Sequence, residues 1–175
     1  MSRKGSSAGR KTAGVLIRAL GIILISVVII SLALPYIFDF MGYETFHIVS
    51  DSMEPTIHVG SLVLVQRTSV GDVAAGDIIA FRSRGTVITH RVVEVIEDEE
   101  KLITRGDANS AEDPFKTSFS DVIGTVVRTF PGLGTFYDSA ASLAGRIVLL
   151  GFIAAGLTLI GCGSSLTRDP PRKRS

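Results

Sequence analysis

The 175-residue sequence has a single cysteine and little charge. Cys162 alone cannot form an intramolecular disulfide, and zinc-ligand cysteine spacing is absent, so no disulfide framework or zinc knuckle is encoded. Its place near the inner end of an apolar run suits a small membrane-helix residue better than a lipidation site. The three histidines, His47, His58 and His90, form no HExxH or equivalent pair, which leaves metal catalysis without sequence support. GxxxxGKS/T and GxGxxG are both missing, and no repeat of roughly 20–50 residues is visible. Charged residues make up 20% of the chain against 46% from the apolar set, a greasier balance than that of an ordinary soluble domain.

The apolar residues are concentrated in two uncharged runs, Ala19 to Phe38 with 20 residues and Ile147 to Thr167 with 21. Either is long enough to cross a hydrocarbon core of roughly 30 Å as a helix. The first run follows a basic segment and contains Ser31-Leu32-Ala33, small residues that also suit a cleavable signal peptide. Cleavable apolar regions are usually shorter, about 7–15 residues, which favours a retained anchor. In the second run Gly151, Ala155 and Gly156 form a small-xxx-small arrangement that permits close helix packing. Between the runs, residues 39–138 suffice for one small domain.

Charge is segregated along the chain: +5 over residues 1–18, +3 over 168–175 and −7 over the remainder. A basic tail can bind nucleic acid, but Lys and Arg beside an apolar span more often mark its cytoplasmic end. The pattern therefore predicts a multi-pass protein of the cell membrane with cytoplasmic tails at 1–18 and 168–175, transmembrane helices over 19–38 and 145–167, and an extracytoplasmic domain over 39–138. No nucleic-acid partner is expected.

The middle domain reads as mostly β. Phe46–Val49, Leu62–Gln66, Ile78–Phe81, Val87–Ile96 and Lys101–Thr104 are short β-branched runs separated by Gly, Pro, Asp and Ser clusters. Strand alternation over 86–96 places Ile88, His90, Val92 and Ile96 on one face and Val87, Thr89, Arg91, Val93 and Val95 on the other. His90 thus sits in an apolar row, where a buried core histidine is the plainer explanation. Ser50-Asp51-Ser52-Met53-Glu54-Pro55-Thr56 follows the first strand, only 14 residues after Phe38. A serine on such a turn can present its hydroxyl while backbone N–H groups face a developing oxyanion, although a polar loop would look the same. Histidine titrates ordinarily near pH 6.5, which suits it to proton abstraction. Arg105-Gly106-Asp107-Ala108-Asn109-Ser110-Ala111-Glu112-Asp113-Pro114 adds carboxylates able to orient an imidazole, or a solvated acidic loop.

Taken in order, these segments resemble type I signal peptidase of the serine–histidine kind found in archaea and in the endoplasmic-reticulum signal peptidase complex. S-x-S-M-x-P-T is matched by Ser50 to Thr56, and the V-G-D segment by Ala75-Gly76-Asp77-Ile78. The base-bearing strand is matched by Thr89 to Val93, with His90 where the common bacterial enzymes carry lysine. G-D-x-N is matched by Gly106 to Asn109. Asp51 replaces the usual glycine beside the nucleophile and Ala108 the first asparagine of the last motif.

The resemblance implies a signal-peptidase/LexA-like β-fold catalytic domain between two transmembrane helices. It makes Ser52 the nucleophile, His90 the general base and Asp113 the third member, with Asp107 supporting the same loop. Ser50 and the Ser52 backbone N–H would bind the oxyanion. The implied activity is removal of signal peptides from preproteins after small residues, without cofactor or metal. The implied partners are preprotein signal peptides, the lipid bilayer and a protein-secretion translocon. Two alternatives stay open: an inactive membrane-anchored β-domain that binds a secretion partner, and a LexA-like self-cleaving serine hydrolase, whose base is generally lysine.

Overall fold

The computed structural model describes residues 4–168, so residues 1–3 and 169–175 of the expected basic tails lie outside the described residues. In chain order the elements are α1 (Lys4–Phe40), β1 (Tyr43–His47), β2 (Leu62–Gln66), β3 (Ile78–Ser83), β4 (Thr86–Ile96), β5 (Lys101–Arg105), β6 (Thr117–Ser118), β7 (Val122–Phe130), α2 (Leu133–Ala141) and α3 (Leu143–Thr167). They fall into two compact units, one of the chain up to Leu34 with that from Ala140 onward, the other Pro35–Ser139. The protein is a mostly antiparallel β domain flanked by two apolar helices.

Two helical segments, Gly9–Phe40 and Leu143–Thr167, are long and apolar enough to cross a membrane. A helix satisfies its own backbone hydrogen bonds, as a lipid environment demands. A Cβ on Gly14 would stand 2.7 Å from the Gly163 carbonyl oxygen, and one on Gly21 would stand 2.6 Å from that of Gly156. Seven residues forward on α1 correspond to seven backward on α3, so the helices pack antiparallel with glycines letting the backbones meet. The contact runs through Gly156 and Gly163; Gly151, part of the expected small-xxx-small arrangement, faces open space. α1 ends where Gly42 adopts φ +86° and its N–H bonds to the Asp39 carbonyl at 2.9 Å, a left-handed stop that glycine accepts without strain.

The second unit is built on one seven-stranded sheet in the order β1-β2-β7-β3-β4-β5-β6, all neighbours antiparallel. Successive residues of a strand point to opposite faces, and both faces of β3 are covered. Ile78 and Ala80 join Met53, Ile57, Val63, Val65 and Ile123 on one side; Ile79 and Phe81 join Val73, Val92 and Leu102 on the other. A sheet buried on both sides explains why Leu62-Val63-Leu64-Val65 is an unbroken apolar run.

The strands depart from expectation at several points: β1 runs Tyr43–His47 and ends before Ile48, against the expected Phe46–Val49, and the short β6 has no counterpart among the expected strands. β7 lies at the centre of the sheet, between β2 and β3, although its segment does not stand out in the sequence. In β4 the pairing with β5 slips between Val92 and Glu94. The extra residue reverses the alternation beyond it, so Val95, not Ile96, packs in the cluster with Ile88 and Val92.

Candidate active site

Ser52 sits on the tight turn that follows β1. The Glu54 N–H closes it on the Asp51 carbonyl at 2.9 Å, and the Ile57 N–H bonds to the Met53 carbonyl at 2.9 Å. Met53 and Ile57 are buried to 1% exposure and plug the turn into the core, leaving Ser52 half-buried and Ser50 exposed at the rim. The Glu54–Pro55 peptide is cis. Asp51 does not adopt a positive φ, so the turn does not require the glycine it replaces.

His90 comes from β4, paired to Ile79 of β3, and is 7% exposed. Phe81 meets its ring edge-on at 6.3 Å between centroids. Its Nε2 lies 3.2 Å from Ser52 Oγ and its Nδ1 2.6 Å from Asp113 Oδ2. A carboxylate only accepts, so Nδ1 carries the proton and donates it to Asp113. Nε2 is then left with a lone pair that accepts the Ser52 hydroxyl proton, the arrangement that activates a serine. Ser50 Oγ stands 3.2 Å from Ser52 Oγ on the other side.

The loop after β5 is held to both of these elements. The Ala108 N–H bonds to the Ser52 carbonyl at 2.9 Å, the Asp113 N–H bonds to the Thr104 carbonyl at 2.8 Å, and the Thr104 hydroxyl donates to Asp113 Oδ2 at 2.6 Å. Ala108 thus works through its backbone, which is why the departure from asparagine leaves the contact intact.

Asp107 is placed elsewhere. Arg91 Nε and Nη2 grip its two oxygens at 2.8 and 2.6 Å, while Arg91 Nη1 donates to the Gly76 carbonyl at 2.8 Å. These hydrogen bonds, helped by Thr56 and opposed by burial, hold the Asp107 carboxyl below its ordinary range; the guanidinium is raised in turn. The loop is thereby clamped to the residue next to His90, and Asp107 itself stands outside the serine–histidine–aspartate line. The Gly76-Asp77 segment braces the same strand: Gly76 N–H bonds to the Val92 carbonyl and Val92 N–H to the Asp77 carbonyl, both at 2.8 Å. Sequence reading did not single out Arg91 or Thr104. Arg91 adjoins the histidine inside its motif, but nothing marks a threonine in a short strand.

A cleft of about 260 Å³ opens beside Ser52 and His90, walled by Phe46, Ile48, Val49 and Ile88. β4 pairs with β5 only from Arg91 onward, so among the described residues the edge of 86–90 on that side has no strand partner. Among the described residues β1 is also a sheet edge, paired only with β2.

Comparison with known proteins points the same way. The family described as signal peptidase, peptidase S26, matches residues 17–105, a stretch that holds Ser52 and His90 and ends just before Gly106. Signal peptidase I W of Bacillus subtilis is 38% identical over 85 residues, covering 46% of this chain and 45% of that protein. The signal peptidase complex catalytic subunit SEC11 of Metarhizium acridum is 35% identical over 99 residues, 50% of this chain and 58% of that one. Human SEC11C is 35% identical over 71 residues, 38% and 37% of the respective chains. The chain spans about half the length of the curated relatives it matches. With the matching region covering half of the sequence and enclosing the serine turn and the histidine strand, the chain belongs to the signal peptidase family, peptidase S26.

Proposed function

We propose that this chain is a membrane-anchored serine endopeptidase that removes signal peptides from preproteins after small residues, using Ser52 as nucleophile and His90 as general base. The observation that carries the reading is the continuous line Ser52 Oγ, His90 Nε2, His90 Nδ1, Asp113 Oδ2, with separations of 3.2 Å and 2.6 Å across its two contacts. Ser52 attacks the scissile carbonyl as His90 takes its proton, and Asp113 stabilises the imidazolium. The Ser52 N–H, which donates to no acceptor among the described residues, and the Ser50 hydroxyl, 3.2 Å from the nucleophile, are the donors available to the developing oxyanion. His90 returns the proton to the leaving amine, the C–N bond breaks, and water then hydrolyses the acyl-enzyme by the same route in reverse.

The free edge at 86–90 and the edge strand β1 support an extended peptide entering as an added strand, its backbone hydrogen-bonding and alternate side chains dipping into the cleft. The small apolar cleft supports small side chains before the cut. A signal peptide ends at the membrane surface, so two apolar helices would keep the protease where its substrate emerges. The charge pattern supports cytoplasmic tails and an extracytoplasmic β domain. The decisive experiment gives one preprotein to the full chain in detergent, wild type against Ser52→Ala. Cleavage by wild type alone is expected; cleavage by both would remove Ser52 from the chemistry, and by neither would remove the activity.

A further inference from the structure

We propose that Thr104 is a positioning residue for the reaction, holding the Asp113 carboxylate in the one orientation that keeps the His90 proton on Nδ1 and the Nε2 lone pair on Ser52. The proposal rests on the assignment of His90 as the base.

Thr104 is fully buried on β5, opposite Val92 of β4 and two residues from Leu102, a place where strand chemistry favours valine. A hydroxyl there costs desolvation unless it is hydrogen-bonded. It is bonded, and Thr104 grips Asp113 twice: the carbonyl takes the Asp113 N–H at 2.8 Å and the hydroxyl donates to Oδ2 at 2.6 Å. Because the carboxylate only accepts, the Thr104 proton is committed to it. The Thr117 hydroxyl, 3.5 Å from Thr104 Oγ1 and nearly buried, must then be the donor between the two threonines. The result is a one-way chain, Thr117 to Thr104 to Asp113, meeting the His90 proton at Oδ2.

Two donors converging on one oxygen stop the carboxylate from turning. The reason it needs stopping is on its other side. Asp113 borders an open cavity of about 620 Å³ that is also lined by Arg82, Arg84, Lys116 and Asp121. Arg84 is stacked 4.7 Å over Phe115, and Lys116 is shared with Glu99 at 2.8 Å. Arg91 of β4 and Asp107, in the same loop as Asp113, are already paired with each other. Without the threonine hydroxyl, Asp113 is drawn outward toward solvent and the cavity cations, and the imidazole loses the partner that sets its tautomer.

The test compares full-length Thr104→Val and Thr104→Ser with wild type in detergent. Preprotein cleavage gives kcat and KM, and NMR of histidine-labelled protein follows the low-field Nδ1–H proton of His90, identified by its absence in His90→Ala. Thr104→Val is expected to lower kcat about tenfold at unchanged KM, in keeping with one lost hydrogen bond to a charged group, and to lose that resonance; Thr104→Ser keeps both. Wild-type kcat and an intact resonance in Thr104→Val overturn the proposal. So does an equal fall in both variants alongside a lower thermal midpoint, the mark of packing alone. If wild type cleaves no preprotein, the proposed activity fails, while the resonance in the two variants still decides whether Thr104 orients Asp113.

Discussion

Gly106 lies against the carbonyl oxygen of Ser52 so closely that a Cβ on it would stand 2.5 Å from that oxygen and 3.0 Å from His90 Nε2. The glycine is needed for this approach and not for an unusual φ. It lets the loop bearing Asp113 and the turn bearing Ser52 meet backbone to backbone beside the histidine.

Gly106→Ala should therefore push the loop off the turn, since a backbone oxygen cannot swing aside as a long side chain can. A displacement of the order of 1 Å in such a site costs about 10² in rate. Steady-state cleavage should show that loss in kcat with the protein still folded by circular dichroism. Wild-type kcat would mean that the loop tolerates displacement and that its contact with Ser52 is incidental.

Ser52→Ala should abolish cleavage, whereas Ser50→Ala should leave a measurable rate. Ser52 is asked to form a covalent bond; Ser50, 3.2 Å away, supplies at most one oxyanion donor. Losing such a donor costs about 10²–10³ elsewhere. Equal loss in the two variants would show that Ser50 does more than polarise the carbonyl.

The Arg91–Asp107 clamp should make the β domain acid-labile. The folded-state pKa of Asp107 is depressed, so its stabilising contribution is present above the ordinary aspartate value of about 3.9 and is lost as pH falls through the lower folded value. Thermal midpoints of wild type should drop between about pH 5 and pH 3. Asp107→Asn should start lower at pH 6 and fall less steeply. Parallel slopes would assign the acid lability to other carboxylates. Because Asp107 does not touch His90, this variant should also keep more activity than any change at Asp113.

The proposed cytoplasmic tails predict that a cysteine at position 5 is shielded from an impermeant thiol reagent on intact cells, while one at Asp98 is labelled, both in a Cys162→Ala background. The expectation rests on +5 and +3 at the two ends against −7 between them. The reverse pattern would put the β domain on the wrong side for emerging signal peptides and overturn the proposed topology.

Much of this arrangement is legible in the sequence where one local signal dominates. Leu62–Gln66 is a strand with the expected bounds because its apolar run ends in clear turn residues. Val122–Phe130 is missed although it is central, because Gly124 interrupts it and glycine in a strand reads as a break. The reason for that glycine is tertiary: a Cβ there would collide with the Gln66 carbonyl oxygen. Leu133–Ala141 is hidden in the same way by Gly134, where a Cβ would stand 2.7 Å from the Ser61 carbonyl oxygen. At the site, motif order points to Ser52, His90 and Asp113 and gives Asp107 to the same loop, while the pairing of Asp107 with Arg91 is not legible. Which of two loop acids reaches the imidazole depends on where Arg91 points, and that follows from strand alternation placing it on the face opposite His90.

The last prediction concerns that choice of acid. Asp113 accepts from His90 Nδ1, which fixes the proton on that nitrogen and leaves Nε2 free to act on Ser52. In Asp113→Asn the amide has both a donor and an acceptor face, and the Thr104 hydroxyl, which donates to Oδ2, is satisfied only by the amide oxygen. His90 Nδ1 donates to that same Oδ2, so an amide oxygen in its place keeps both bonds and the tautomer, while the negative charge that stabilises the imidazolium is lost. The fold survives and the loss in kcat is that of the charge, which should fall short of the roughly 10⁴ seen where amidating the equivalent carboxylate of a serine protease triad leaves the wrong tautomer. His90→Ala should be inactive, having lost the acceptor of the Ser52 proton. Near-wild-type kcat in Asp113→Asn, with a severe loss in Asp107→Asn, would exchange the roles of the two aspartates.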